Sequence, residues 1–258
     1  MASKEFKLLL IRHGQGFHNL GIYGREELEF TEDETLKTMN SSLTEKGLNQ
    51  ARLVGERLKN KKFDLVISSD LKRAKQTAEI IVDLNNSIDH FEEWKDVRER
   101  CVGDFEGNEI VDSALITVEK AVKNRNYLTW RPPNGESVVD LRIRIKQVLK
   151  KVQLLALKSS TDIPMIVIVS HGAFMNELYY LLSEECFSQG MSPEKEPKYH
   201  NTGISQYHFT TCIDLDKAEW GIEEAKCEIF SCGAHLRNED GSYQGCCTGC
   251  CLNEKIVC

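Results

Sequence analysis

The sequence predicts an α/β fold in three layers, α/β/α, with a mostly parallel central sheet and helices on both faces. Three observations lead there. Two short apolar runs, Leu8-Leu9-Leu10-Ile11 and Met165-Ile166-Val167-Ile168-Val169, run into His-Gly pairs, His13-Gly14 and His171-Gly172. Runs this short, bounded by polar residues, fit strands buried on both faces. Strand-like and helix-like patterns then alternate through residues 44–84, which predicts parallel pairing and right-handed crossovers. Finally, charged and titratable residues gather where these runs end, and open α/β sheets place their binding crevice at the carboxyl ends of strands.

The elements follow in order. Residues 6–11 form the first strand. Residues 20–42 form a polar connection carrying the acidic run Glu26–Glu34. It reads as a solvated loop with a turn of helix, the alternative being a mobile cover over the pocket. Thr44 caps a helix to about Asn60, with Leu48, Ala51, Val54 and Leu58 on its inner face. Residues 63–69 form a second strand, and Asp70 opens a helix whose inner side carries Ala74, Thr77, Ala78, Ile81 and Val82. Residues 92–110 look irregular and contain Arg98-Glu99-Arg100; helical periodicity resumes at 109–127. Trp130-Arg131-Pro132-Pro133-Asn134-Gly135 is a firm break. Glu136 to Lys158 is a long amphipathic helix, with Val139, Ile143, Val148, Val152 and Leu155 near one face. A strand ending at Ser170, a helix over Ala173–Ser183, a loop over 187–201 and short strands at 204–209 and 226–231 complete the pattern.

The 258 residues suffice for one large α/β domain, placed at 1–235, followed by a Cys-rich tail, 236–258, that reads as poorly ordered. A net charge of −7 argues against nucleic acid as a partner but leaves room for a small anion in a locally basic pocket. No leader-like apolar stretch precedes the first strand, Ala2 excludes N-myristoylation, and no apolar run approaches the ~18 residues of a membrane span. A cytoplasmic protein with reduced thiols is expected, despite its 10 cysteines. Cys246-Cys247-Thr248-Gly249-Cys250-Cys251 reads as a disordered thiol-bearing tail, with palmitoylation and then zinc binding as alternatives. Lys255 excludes a prenyl signal, and adjacent cysteine pairs are not the usual zinc spacing.

The candidate chemistry starts at His13. A neutral imidazole is nucleophilic near pH 7 and can attack phosphorus. The phosphoryl group then needs fixed positive charge and N–H donors around its oxygens. Arg12 offers a planar fork of donors, His171 another donor, and Gly172 opens a helix whose free N–H groups suit an anion. Arg73, one turn into the helix after the second strand, can point at the same crevice. A leaving oxygen needs a proton, and Glu99 is the candidate general acid. The histidines and Arg73 each have a blander reading alone, as core histidines or a surface arginine, but their shared placement at strand ends favours function; for Glu99 the residues alone favour a carboxylate in surface ion pairs. His18 and His200 read as solvated loop histidines, the alternative being contact with substrate.

These residues resemble the histidine phosphatase superfamily, also called phosphoglycerate-mutase-like. Arg12-His13-Gly14-Gln15-Gly16-Phe17-His18-Asn19 is similar to its first signature, and Ser69-Asp70-Leu71-Lys72-Arg73-Ala74 to its second. Arg98-Glu99-Arg100 with Gly103 and Glu106-Gly107, Pro133-Asn134-Gly135-Glu136-Ser137, and Ser170-His171-Gly172 resemble the remaining three, in the family's order over residues 6–210. The resemblance implies that His13 becomes phosphorylated and that Arg12, Asn19, Arg73, His171 and Gly172 hold the phosphoryl oxygens. It implies that Glu99 acts as acid and then base, and that no metal or other cofactor is needed. Gln15, Gly16, Arg100 and Lys198 are candidates for contacts to the rest of the substrate. Two departures stand out: Gln15 replaces the usual Glu, and Gly16 replaces a frequent Ser or Thr. The segment 20–42 lacks the mutase substrate-loop pattern. The region around Arg98, the Gly-Glu-Ser entry and Asn201-Thr202-Gly203-Ile204-Ser205 resemble the bisphosphatase branch, including the TIGAR-like fructose-2,6-bisphosphatases. The expected activity is hydrolysis of a small phosphorylated metabolite, a sugar bisphosphate or a bisphosphoglycerate. A cofactor-dependent mutase and a weakly catalytic phospho-ligand or protein-binding module are the alternatives.

Overall fold

A computed structural model describes residues 2–20, 28–30, 39–106, 127–185, 198–214 and 219–236. Its main sheet has six strands in the order β5-β4-β6-β1-β7-β8. These are β1 (Ala2–Arg12), β4 (Leu65–Ser68), β5 (Glu92–Glu93), β6 (Met165–Ser170), β7 (Ile204–Asp214) and β8 (Glu219–Cys232). β5, β4, β6 and β1 pair in parallel, whereas β7 joins β1 and β8 in antiparallel register. A separate two-stranded sheet pairs β2 (Leu28–Phe30) with β3 (Met39–Ser41).

Alternation along β1 builds the layers. Leu8 and Leu10 pack on one face with Leu141, Ile145, Val148 and Val152 of helix α3 (Val138–Lys158) and Phe174 and Leu178 of α4 (Gly172–Glu185). Leu9 and Ile11 pack on the other with Val54 and Leu58 of α1 (Glu45–Leu58) and Ala74, Ala78 and Ile81 of α2 (Lys72–Leu84). Successive side chains of a strand point to opposite faces, so a continuous apolar run demands cover on both. The expected three-layer, mostly parallel α/β architecture is the observed one.

Several boundaries differ from the sequence reading. β1 starts at Ala2 rather than residue 6, because β7 pairs along its whole length, from Ala2↔Ile213 to Ile11↔Ile204. β7 and β8 likewise outrun the short strands expected, since each ladder supports residues that lack a local apolar pattern. Part of the polar connection 20–42 is β2 and β3, and a 3-10 turn spans Phe17–Leu20. Asp70 does not open α2: its carboxylate takes the Arg98 Nε at 2.6 Å, and the helix begins at Lys72, whose N–H donates to Asn40 Oδ1 at 2.7 Å. That cap comes from β3, not from the local sequence.

The inner face of α3 also needs correction. Val148 and Val152 are fully buried, but Val139 and Ile143 are 38% and 52% exposed. Val138, Leu141 and Ile145 take their place, so the apolar stripe lies about one residue away from the one expected. Ser137 and Asp140 form a capping box at the start of this helix. Helical periodicity at 109–127 falls almost wholly outside the described residues, as do most of the 187–201 loop and the tail beyond Leu236. Cys101 and Cys232 are buried, and Cys227 is half-buried. Among the described residues, no helix is long and apolar enough to cross a membrane.

Candidate active site

Sheet register brings the candidate residues together. Arg12 on β1 lies opposite Ser170 on β6, and Ser68 on β4 lies opposite Val169. Three carboxyl ends therefore stand side by side, and His13, His171 and the start of α2 issue from them. The His13 and His171 rings lie 5.0 Å apart between centroids, tilted by 56°. His13 is buried and His171 fully so.

Hydrogen bonds fix the orientation of His13. Its Nδ1 sits 2.6 Å from the Gly14 carbonyl oxygen. A carbonyl only accepts, so Nδ1 carries the proton and Nε2 keeps its lone pair. Arg73 Nε donates to that Nε2 at 3.3 Å. The His13 N–H donates to Ser170 O at 3.0 Å, and its carbonyl accepts from Asn201 Nδ2 at 3.0 Å. Burial, with Arg73, Arg12 and His18 nearby, holds the imidazole well below its ordinary pKa, so the ring is neutral. His171 is pushed down for the same leading reason, burial, with Arg73 and His13 beside it. Arg73 itself is lowered to about 10, mainly by burial, and remains a cation near neutral pH.

Glu99 occupies a second role that sequence reasoning missed. Its Oε1 accepts from the N–H groups of Arg100 at 3.0 Å, Ala173 at 2.9 Å and Phe174 at 3.3 Å. The carboxylate thus caps the exposed N–H groups at the start of α4. Oε2 carries none of these bonds and faces the cradle at Gly172. A Cβ on Gly172 would lie 3.9 Å from Oε2 and 3.7 Å from Arg12 Nε. Arg144 fixes the Glu99 segment by donating to the carbonyls of Asp96, Arg98 and Glu99 while pairing with Glu136.

Donors gather around the two histidines. Arg12 Nη1 donates to Tyr199 O at 2.6 Å, yet its Nε is buried and without a partner. Both ring nitrogens of His171 are buried and unpartnered. Unmet buried polar groups are costly and call for a ligand.

The remaining candidates divide. Asn19 lies at the exposed rim, with Oδ1 accepting from Gly16 N at 3.0 Å. Gln15 turns toward the cap of α1, where its Oε1 accepts from the Thr44 hydroxyl at 3.0 Å. Arg100 donates through Nε to Glu136 O, and its Nη2 is buried without a partner. Lys198 is exposed and lines a groove of about 500 Å³ with Tyr127, Leu128, Arg142 and Tyr180, and His13 is not part of that lining. His18, read as a solvated loop residue, instead lies 5.3 Å from the His13 ring. Thr77, whose Oγ1 accepts from Gly14 N, and Arg144 were also missed; a charged residue on the buried face of α3 was the available signal for Arg144.

The chain is similar to known proteins over most of its length. The family model for the histidine phosphatase superfamily (branch 1) matches residues 8–212. A curated zebrafish (Danio rerio) protein described as a probable fructose-2,6-bisphosphatase TIGAR A is 28% identical over 269 residues, covering 90% of this chain and 98% of its own length. A 2,3-bisphosphoglycerate-dependent phosphoglycerate mutase of Bartonella tribocorum is 35% identical over 198 residues, covering 72% and 87%. Among solved structures, a mycobacterial glucosyl-3-phosphoglycerate phosphatase superposes with a TM-score of 0.64 at 22% identity, covering 88% of this chain and 99% of that one. That last likeness is one of fold.

Proposed function

Because the chain belongs to the histidine phosphatase superfamily (branch 1), we propose that it is a metal-independent phosphatase acting on a small phosphorylated metabolite through a phosphohistidine on His13. The observation that carries this reading is the pairing of a neutral His13, whose Nε2 keeps its lone pair beside Arg73, with the unpartnered buried nitrogens of Arg12 and His171. A phosphoryl group satisfies those donors and meets the nucleophile.

The reaction proceeds in two displacements. His13 Nε2 attacks phosphorus, the bond to the leaving oxygen breaks, and Glu99 gives that oxygen its proton. Water then attacks the phosphohistidine, Glu99 takes the water proton, and the P–N bond breaks to release phosphate and neutral His13. Arg12, Arg73 and His171 offset the charge on the phosphoryl oxygens, with Asn19 at the rim. The protein supplies both nucleophile and positive charge, so no step calls for a metal. The substrate class that fits best is a sugar bisphosphate such as fructose 2,6-bisphosphate, or a bisphosphoglycerate. Likeness to the zebrafish protein over most of both chains supports the former.

A panel of phosphorylated metabolites scored by phosphate release tests the proposal. His13→Ala is expected to abolish turnover, and a chelator to leave the wild type unaffected. Activity that survives the substitution, or dies with the chelator, refutes the mechanism. A second reading, phosphoglycerate mutase, is favoured by the 35% identity to the Bartonella enzyme. It predicts isomerised phosphoglycerate in excess of free phosphate, whereas the phosphatase reading predicts the reverse.

A further inference from the structure

Gly16 and His18 form an arrangement that the mechanism above does not use. A Cβ on Gly16 would come within 2.8 Å of His18 Nδ1, 2.9 Å of its Cε1 and 3.0 Å of Ser41 Oγ. The absence of a side chain at position 16 is therefore what admits the imidazole to the site. Once there, the ring lies 5.3 Å from that of His13.

The hydrogen bonds run in one direction. Gly16 N–H donates to Asn19 Oδ1 at 3.0 Å, which fixes the amide so that Nδ2 is its other end. Nδ2 then donates to His18 Nε2 at 2.9 Å. His18 Nε2 must accept, so Nδ1 carries the proton and donates to the buried Ser41 Oγ at 2.7 Å. The amide of Asn19 keeps one N–H uncommitted. Burial, with Arg73 and Arg12 close by, lowers His18 to about 3, in keeping with this neutral tautomer.

We propose that His18 is a positioning residue of the phosphoryl site, admitted by Gly16 and acting through the Asn19 amide, which it orients toward a phosphoryl oxygen. This rests on the phosphatase reading for its context, but inorganic phosphate binding tests it without turnover. Gln at position 18 keeps an acceptor near the place of Nε2, whereas Phe keeps a ring and loses the acceptor.

The experiment measures phosphate affinity by calorimetry, kcat and KM on the best substrate, and melting temperature, for full-length wild type, His18→Phe, His18→Gln, His18→Ala, Gly16→Ala and the double Gly16→Ala/His18→Ala. His18→Phe is expected to weaken phosphate binding about tenfold, the scale of one hydrogen bond to a charged group. His18→Gln should stay within about twofold of wild type. Gly16→Ala, which displaces the ring, should match His18→Ala, and the double variant should be no worse than either. Wild-type affinity in His18→Phe, equal losses in the Phe and Gln variants, or multiplying losses in the double variant overturn the inference. If phosphate binding depends on His18 as stated but the wild type hydrolyses nothing, this inference stands and the phosphatase reading falls. If it does neither, both fall.

Discussion

At the scale of single residues, Glu99 divides its two oxygens between the fold and the proposed chemistry. Oε1 satisfies three backbone N–H groups, two of them in the first turn of α4, while Oε2 looks into the cradle. Glu99→Gln preserves an oxygen acceptor and removes the transferable proton. Its turnover is expected to fall about 10²–10⁴-fold with little change in melting temperature. Glu99→Ala also leaves those N–H groups without their acceptor, at a cost of about 1–3 kcal/mol. Equal melting temperatures for the two variants argue against the capping role, and wild-type turnover in Glu99→Gln argues against the acid.

At the scale of elements, α3 shows how a face is decided. Its apolar residues are numerous enough that spacing allows more than one stripe, and Val139 and Ile143 look as suitable as Val138 and Ile145. Packing against β1 and α4 selects the second set, and it also buries Arg144 beside the Glu99 segment. The expected consequence is asymmetric. Ile143→Lys should change stability by within about 0.5 kcal/mol, as for an ordinary surface position. Ile145→Ala should cost about 2–5 kcal/mol through lost burial and a cavity. Urea titrations decide it, and comparable losses in both variants contradict the assigned face.

At the scale of the whole molecule, the site concentrates neutral imidazoles near arginines, with a consequence for acid stability. Burial is the leading cause that holds His13 and His171 well below their ordinary pKa, and it lowers His18 and His235 to about 3 from 6.5. Below pH 6.5 the unfolded chain binds protons that the native state refuses. Stability from these groups is complete above pH 6.5 and is lost as pH falls from there toward the folded values. Each proton contributes a slope of at most about 1.4 kcal/mol per pH unit. The melting temperature is expected to fall steadily from pH 6.5 to 4, less steeply in His235→Gln. A flat profile over that range contradicts buried neutral rings. The same burial explains why the site is assembled before any ligand arrives: β6 lies between β4 and β1, so the three carboxyl ends are neighbours by topology.

The sequence by itself determined the layered α/β architecture, because unbroken apolar strands and alternating helical patterns have few other ways to bury their surfaces. It also marked His13, Arg12, Arg73 and His171, since their residue types fall at strand ends and helix starts, whereas Glu99 stood out only through the resemblance of Arg98-Glu99-Arg100 to a family motif. Only the tertiary structure decided which oxygen of Glu99 is spent on α4 and that Asn40, not Asp70, caps α2. It alone turned Gln15 toward Thr44, set Lys198 in a groove that His13 does not line and placed His18 beside His13. The physical reason is range. Hydrophobic periodicity and capping are written over a few adjacent residues, whereas a hydrogen-bond partner or a shared cavity depends on which distant segments the sheet register brings side by side.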